Sequence, residues 1–209
     1  MALSIDEIKQ KLQQPLPGIA SQLKMAPARR ADERALLSNK NHMAKQSAVL
    51  ILLYPENGQL KTVFIKRSEY DGFHSGQISF PGGKYKDRDE SFEATALRET
   101  FEEIGIDPNK IEIIGQLTDL FIPLSNFLVK VFVGYCTQKY NYILDKKEVQ
   151  SVIEINIEDL NRENIIFEKE FVSKILNIKR LAPYYKIKDI EIWGATAMIV
   201  NELLDILKN

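Results

Sequence analysis

The pattern of apolar and polar positions separates a short N-terminal section from a longer, strand-rich section. Apolar Ile8 and Leu12 follow Ser4 at helical spacing, and because serine often caps helices they predict a helix over residues 4–14. Residues 15–45 mix prolines, basic residues and alanines, a composition that predicts a coil-rich arm with one short helix at most.

Strand signals begin near residue 47 and continue through most of the chain. The apolar run Val49–Tyr54 predicts a strand buried on both sides, and Asn57-Gly58 predicts a hairpin turn into a second strand at Leu60–Ile65. Ser91–Ile104 is a helical stretch without glycine or proline, and Gly105 stands where a helix would end. The remaining predicted elements are strands at Ile111–Leu117, Phe127–Cys136 and Val152–Ile157, a strand pair between Ile165 and Ile192, and an amphipathic helix over Gly194–Leu207.

This order of elements predicts the fold class. Strands and helices are mixed without the regular alternation of a doubly wound fold, which favours an α+β sandwich of helices around a mixed β-sheet. We expect residues 1–46 to form an N-terminal helix and arm packed on a main domain of residues 47–209.

Composition narrows the partners and the compartment. The formal net charge is −1, from 28 Lys and Arg against 29 Asp and Glu, so neither a nucleic acid nor an anionic membrane is expected as partner. The sequence shows neither a signal peptide nor an apolar run near the ~20 residues of a membrane span, so we expect a cytoplasmic protein. Cys136 is the single cysteine and lies in an apolar strand, which predicts an inert, buried thiol.

Three carboxylates carry the clearest chemical signal. Glu99, Glu102 and Glu103 stand at i, i+3 and i+4 of the predicted helix, a spacing that puts them on one face. They repel one another, and they lie near the helix C-terminus, where the helix dipole disfavours negative charge. A hard divalent cation such as Mg²⁺ or Mn²⁺ would offset both costs, because it prefers oxygen ligands.

The alternative is a solvated acidic face balanced by Arg98 and Lys84. The context favours the metal site, because Pro81-Gly82-Gly83 allows close approach of backbone to a phosphate. Four apolar residues are expected to form the buried side of the helix: Phe92, Ala96, Leu97 and Phe101.

The stretch from Gly83 to Ile106 resembles the Nudix box, in which a glycine and a glutamate precede Arg-Glu-apolar-x-Glu-Glu-x-Gly-apolar. Arg98 to Gly105 match at every charged and glycine position, and Thr100 replaces an apolar residue. The loop after Gly83 carries one extra residue, so either Asp89 or Glu90 takes the place of the first box glutamate. The resemblance implies a Nudix-type α/β/α sandwich.

A second motif resembles the coenzyme A pyrophosphatase branch of that family. Ile65-Lys66-Arg67-Ser68, Gly72, Gly76 and Phe80-Pro81-Gly82-Gly83 follow the branch's upstream spacing. Gly72 stands where the branch has an arginine, so if that arginine holds a phosphate, either another cation replaces it or the affinity falls. Arg67 is preferred over Lys66, because its planar fork can grip a phosphate in two places. Ser68, Gly82 and Gly83 are further candidates for substrate binding, and His74 would touch either the substrate or its own loop.

The resemblance extends to Glu148-Val149 and to Trp193-Gly194-Ala195-Thr196-Ala197, so that it covers roughly residues 47–200. Tyr184, Tyr185 and Trp193 could stack on an adenine, but a late aromatic cluster of this kind more often belongs to the core.

The implied activity is metal-dependent hydrolysis of the pyrophosphate bond of coenzyme A or its derivatives, giving 3′-phosphoadenosine 5′-phosphate and 4′-phosphopantetheine or its acyl form. The resemblance implies Glu99, Glu102 and Glu103 as ligands of Mg²⁺ or Mn²⁺, with Arg98 holding one of them by ion pairing. The candidates for the general base are Glu99 and Glu148.

Two alternatives stay open at this point. One is a Nudix pyrophosphatase for another nucleoside diphosphate derivative, such as ADP-ribose, a dinucleotide or a nucleoside triphosphate. The other is a non-enzymatic nucleotide-binding regulator, against which the intact carboxylate trio argues. The resemblance also makes a homodimer one of the expected states.

Overall fold

The computed structural model describes residues 4–27, 44–69, 75–173 and 178–208. The helices are α1 (Ile5–Leu12), α2 (Gly18–Leu23), α3 (Phe92–Ile104), α4 (Ile157–Leu160) and α5 (Gly194–Lys208), with a 3₁₀ turn at Pro108–Lys110. The strands are β1 (Lys45–Glu56), β2 (Gln59–Arg67), β3 (Ile78–Ser79), β4 (Gly82–Lys84), β5 (Glu112–Gln116), β6 (Leu120–Ile122), β7 (Phe127–Tyr135), β8 (Val149–Asn156), β9 (Ile166–Ser173), β10 (Ile178–Ile187) and β11 (Ile190–Trp193).

A mixed β-sheet is the centre of the fold. Within the described residues it has eight strands, with the order β3-β2-β1-β7-β5 and with β4, β6 and β8 paired to β1, β7 and β2. β1 and β7 run parallel, whereas the other pairings are antiparallel. The mixed sheet expected from the sequence is therefore confirmed.

Both faces of this sheet are covered, as the continuous apolar run in β1 predicts. Leu50 and Leu52 face one core cluster, which includes Ala96 and Ile104 of α3. Ile51 and other β1 residues face a second cluster, which contains residues of α1 and α5. Because successive residues of a strand point to opposite faces, one strand contributes to both clusters and the architecture is an α/β/α sandwich.

The hairpin between β1 and β2 forms where the sequence predicts it. Glu56 pairs with Gln59 across the turn. Asn57 and Gly58 have φ values of 53° and 75°, the left-handed backbone that a two-residue type I′ turn requires at both positions.

The region between residues 165 and 193 differs from the prediction of a strand pair, because it forms a separate sheet in the order β11-β10-β9. Tyr184 and Tyr185 are buried there, which supports the core interpretation of these aromatics. Trp193 stacks on Phe171 with ring centroids 4.1 Å apart. The extra strand arises because β11 returns antiparallel to β10 and pairs Trp193 with Tyr184.

The N-terminal helices pack on the face of the sheet that α5 also covers. Ser4 caps α1 through a capping box with Glu7, and Ile8 and Leu12 are buried as predicted. α2 is the one short helix that the described part of the arm contains, since residues 28–43 lie outside the described residues. The boundary at residue 46 stays a prediction.

The single cysteine lies in the buried setting that the sequence analysis predicts. Cys136 is buried, and burial raises the pKa of its thiol to about 11. Among the described residues, no helix is long and apolar enough to cross a membrane.

Candidate functional site

The helix α3 begins and ends at the residues that the sequence indicates. The Ser91 hydroxyl accepts a hydrogen bond from the Ala94 N–H at 3.0 Å and caps the N-terminus. Gly105 ends the helix with φ of 76°, and its N–H donates to the Phe101 carbonyl at 2.9 Å. These local caps fix which turn of the helix carries the acidic residues.

The buried side of α3 differs in part from the prediction. Phe101 is 51% exposed, so its assignment to the buried side is wrong. Thr100 is buried instead, and its hydroxyl donates to the Ala96 carbonyl at 2.7 Å. The threonine thereby satisfies its own polar group, which explains how it replaces an apolar residue at this position.

Asp89, and not Glu90, faces the acidic side of the helix. Arg98 donates to both Asp89 carboxylate oxygens, from Nε at 2.7 Å and from Nη2 at 2.8 Å. The Thr95 hydroxyl and the Lys86 N–H donate to the same carboxylate. This fork holds the pKa of Asp89 well below its usual range, because Arg98 favours the charged form. Glu90 is exposed.

Glu103 is the most deeply buried of the three helix carboxylates, with 1% of the residue exposed. The Gly82 N–H donates to one of its oxygens at 2.8 Å, and Arg67 lies 3.2 Å from the other. Burial raises the pKa of Glu103 to about 8, even though Gly82 and Arg67 favour the charged form.

Glu99 and Glu102 are paired with basic side chains. Arg98 contacts both carboxylates, so the predicted ion pair between Arg98 and a glutamate of this helix is present. Lys86 Nζ lies 3.5 Å from Glu99 Oε1 and 3.2 Å from Glu102 Oε2. Arg88 lies 3.3 Å from Glu102.

The three carboxylates have the oxygen donors that a hard divalent cation prefers. They do not converge in this structure, and among the described residues no group of three or more His, Cys, Asp or Glu side chains is arranged to hold a metal ion. Each carboxylate instead accepts from an arginine, a lysine or a backbone N–H. The chemistry of the donor set therefore fits the predicted metal.

Gly82 and Gly83 are glycines because β4 passes very close to its neighbours. Gly82 has φ of 148°, and a Cβ there would lie 2.3 Å from the Ala48 carbonyl oxygen. A Cβ on Gly83 would lie 2.4 Å from Glu99 Oε2. The glycine turn therefore packs directly on the carboxylates of α3.

A cavity of about 580 Å³ opens beside this turn. Gly82, Gly83 and Arg67, three of the predicted substrate-binding residues, line it. Lys45 and Lys84 add two more cations, and none of the described lining residues is acidic. The interior is largely apolar and includes six residues of the sheet and of the connections before β4 and β7: Val49, Phe80, Ile122, Leu124, Phe127 and Val129.

Other predicted site residues lie away from the cavity wall. Lys66 and Ser68 are absent from the described lining, and the Ser68 hydroxyl donates to the Lys146 carbonyl at 3.3 Å. Glu148 has an exposed side chain whose charge contributes to the raised pKa of Glu103. His74 and Gly72 lie outside the described residues.

Sequence reasoning missed Lys45 and Lys86. Lys45 reaches the cavity because β1 begins beside β7, and its ammonium lies 5.7 Å from the Phe127 ring centroid. Lys86 reaches the acidic face because its loop folds back over α3. Neither position has a local sequence signal, since both contacts join segments that are distant along the chain.

Comparison with known proteins points to one family. The NUDIX domain family matches residues 44–174. "Nudix hydrolase 15, mitochondrial" of Arabidopsis thaliana is 35% identical, over 75% of this chain and 56% of that protein. The "Uncharacterized Nudix hydrolase NudL" of Yersinia enterocolitica is 30% identical, over 92% of this chain and 87% of that protein.

A solved structure shares the fold at low sequence identity. The MutT/nudix family protein from Enterococcus faecalis superposes with a TM-score of 0.56 at 17% identity, covering 100% of this chain and 75% of that one. The chain spans about half the length of two plant relatives that it matches, 56% and 53%.

Proposed function

This chain belongs to the Nudix family, and on that basis we propose that it is a metal-dependent hydrolase of the pyrophosphate bond of coenzyme A or its derivatives. The products would be 3′-phosphoadenosine 5′-phosphate and 4′-phosphopantetheine or its acyl form. The observation that carries the proposal is the contact of the Gly82-Gly83 turn with the carboxylates of Glu99 and Glu103. The same two glycines line the cavity.

We propose Glu99, Glu102 and Glu103 as the residues that would hold Mg²⁺ or Mn²⁺. The bound metal would neutralise charge on the phosphate oxygens and lower the pKa of an attacking water. Arg98 would orient Glu99 and Glu102, because its guanidinium is itself fixed by Asp89. Glu99 and Glu148 are the two candidates for the base.

The cavity supports an anionic substrate with an extended apolar part. Lys45, Arg67 and Lys84 line it without any acidic residue in the described lining, so a phosphate group would meet attractive charge. Arg67 also pairs with Glu103, so it would hold the substrate and the ligand residue together. Because Lys66 does not line the cavity, we propose Lys45 and Lys84 as the additional phosphate-binding residues in its place.

The assignment to the coenzyme A branch rests on the sequence resemblance of the upstream motif, from Ile65 to Gly83. Gly72, at the position of the branch's arginine, is the departure that makes the substrate test necessary. A cytoplasmic location and a homodimeric state remain predictions.

The test is hydrolysis by the purified full chain with Mg²⁺ or Mn²⁺, against coenzyme A, an acyl-coenzyme A, ADP-ribose, a dinucleotide and nucleoside triphosphates. Products are identified by mass spectrometry. We expect metal-dependent release of 3′-phosphoadenosine 5′-phosphate. Cleavage of another compound with coenzyme A intact would contradict the branch assignment, and no cleavage with either metal would favour a nucleotide-binding regulator.

A further inference from the structure

The loop between β4 and α3 places one lysine against the acidic face. The Lys86 N–H donates to Asp89 Oδ2 at 3.0 Å, and the Asp89 N–H donates back to the Lys86 carbonyl at 2.8 Å. Asp89 is in turn held by both nitrogens of the Arg98 fork. The backbone of Lys86 is therefore fixed relative to α3, and its side chain reaches the helix carboxylates from there.

The Lys86 ammonium bridges two of the proposed metal ligands. Its Nζ lies 3.5 Å from Glu99 Oε1 and 3.2 Å from Glu102 Oε2. It supplies a positive charge between two carboxylates that would otherwise repel each other on adjacent turns. An ammonium donates hydrogen bonds but carries only one charge, whereas Mg²⁺ or Mn²⁺ carries two.

The two neighbouring arginines differ from Lys86 in how they are held. The Arg98 side chain is 16% exposed and grips Asp89 with two nitrogens, so it is part of the fixed frame. The Lys86 side chain is 42% exposed and can swing into solvent by rotating its own flexible stem. Arg88 is 67% exposed and pairs only with Glu102 among the described carboxylates.

We infer that Lys86 is an exchangeable internal counter-ion, which pairs with Glu99 and Glu102 and competes with a divalent cation for them. This inference rests on the proposed function only in taking Glu99 and Glu102 as metal ligands. Lys86 thereby sets the metal concentration at which the site fills. Removing its ammonium leaves Glu99 and Glu102 with only their arginine partners, and the loss of one positive charge strengthens their attraction for a divalent cation.

The experiment measures Mn²⁺ binding to the metal-free full chain by electron paramagnetic resonance and calorimetry, in the wild type and in Lys86→Met. We expect the Kd for Mn²⁺ to fall about threefold to tenfold in the variant, the range set by losing a pair of partly exposed ion pairs. Lys86→Arg, which keeps the charge, is expected to bind Mn²⁺ close to the wild-type affinity.

The matched control is Lys186→Met, which removes the same charge from an exposed residue of β10 in the second sheet. Its Kd for Mn²⁺ is expected to stay at the wild-type value, so a change there would assign the effect to net charge and overturn the inference. An unchanged or weaker Mn²⁺ affinity in Lys86→Met would also overturn it. Lys86→Gln gives the same comparison if the methionine variant does not fold.

A second readout is the melting temperature in chelator and with Mn²⁺. Lys86→Met is expected to melt lower than the wild type in chelator, because one of the cations that offset the repulsion between Glu99 and Glu102 is then missing, and to gain more on adding Mn²⁺. An equal gain in both proteins would contradict the inference. These measurements need no substrate. They therefore test the role of Lys86 even if the protein does not hydrolyse coenzyme A.

Discussion

Glu103 on α3 and Glu202 on α5 are both buried glutamates, with 1% and 0% of the residue exposed, but their surroundings differ. Glu202 accepts from the Gln22 side-chain amide at 2.7 Å and from the Thr118 N–H at 3.2 Å. Glu103 accepts from the Gly82 N–H and pairs with Arg67, and burial raises its pKa to about 8.

The side chains around the two glutamates differ in charge. Near Glu202, the Asn201 amide donates to Ser21, and the Tyr185 hydroxyl donates to Asn201, so neutral donors join α2, β10 and α5. Near Glu103, by contrast, the neighbouring side chains are charged: Arg67 lies 3.2 Å away, and Glu99 and Glu148 add negative charge. A buried carboxylate with neutral partners holds two elements together, whereas one among exchangeable charges is suited to binding a ligand.

The largest expected effect comes from Glu103→Gln. The amide can still accept from Gly82 but cannot provide an anionic ligand, so we expect kcat to fall at least about 100-fold. The melting temperature is expected to change little, because a neutral side chain already suits this buried position. Steady-state kinetics with Mn²⁺ and thermal denaturation check both, and near-normal turnover would refute the metal-ligand assignment.

Arg98→Lys is expected to lower kcat about 10-fold, within the range for residues that orient a metal ligand. Lysine keeps the charge but lacks the planar fork that contacts Asp89 with two nitrogens while a third pairs with Glu99 and Glu102. Kinetics over a range of Mn²⁺ concentrations measure the loss. Asp89→Asn is the matched variant, and full activity in both would show that this fork does not orient the site.

Glu202→Ala tests the other glutamate and should affect stability alone. It leaves the Gln22 amide and the Thr118 N–H without this acceptor, so the free energy of unfolding should fall by about 1–3 kcal/mol. Urea denaturation measures the change, and kcat should stay at the wild-type value. Glu202→Gln keeps one acceptor oxygen and should lose less, whereas a large fall in kcat at unchanged stability would reverse the contrast with Glu103.

The smallest effect is expected at Asp205, which joins α5 to α2. Burial opposes its charged form, but hydrogen bonds from Lys24 and Ser21 outweigh burial and lower the pKa of Asp205. A lowered folded-state pKa gives stability that is present above the unfolded value of about 4 and is lost as the pH falls through the folded value. The free energy of unfolding should therefore decline less steeply from pH 5 to pH 3 in Asp205→Asn than in the wild type. Equal slopes in urea denaturation would contradict this.

What the sequence by itself determined is local. The caps Ser91 and Gly105 define α3, and the helical period puts Glu99, Glu102 and Glu103 on one side of it. The Asn57-Gly58 turn likewise forms from its own two residues. Such features depend on interactions within a few positions along the chain, which can be read without knowing the fold.

The helical period of α3 also indicates which of its residues are buried, and the prediction from hydrophobicity did not use it. Ala96, Thr100 and Glu103 follow one another at helical spacing and are buried, whereas Phe101 points to the opposite side and is exposed. The angular position of a residue around the helix axis, and not its hydrophobicity alone, would have excluded Phe101 from the buried side.

Only the tertiary structure decided the rest. Asp89, and not Glu90, contacts Arg98 because of the path of the loop over residues 84–90, and the spacing in the sequence permits either residue. The positions of Lys45 and Lys86 and the second sheet arise from contacts between segments distant in sequence. Which charge meets which carboxylate is set by the packing of whole elements, because burial and distance, the quantities that govern electrostatics, exist only in the folded chain.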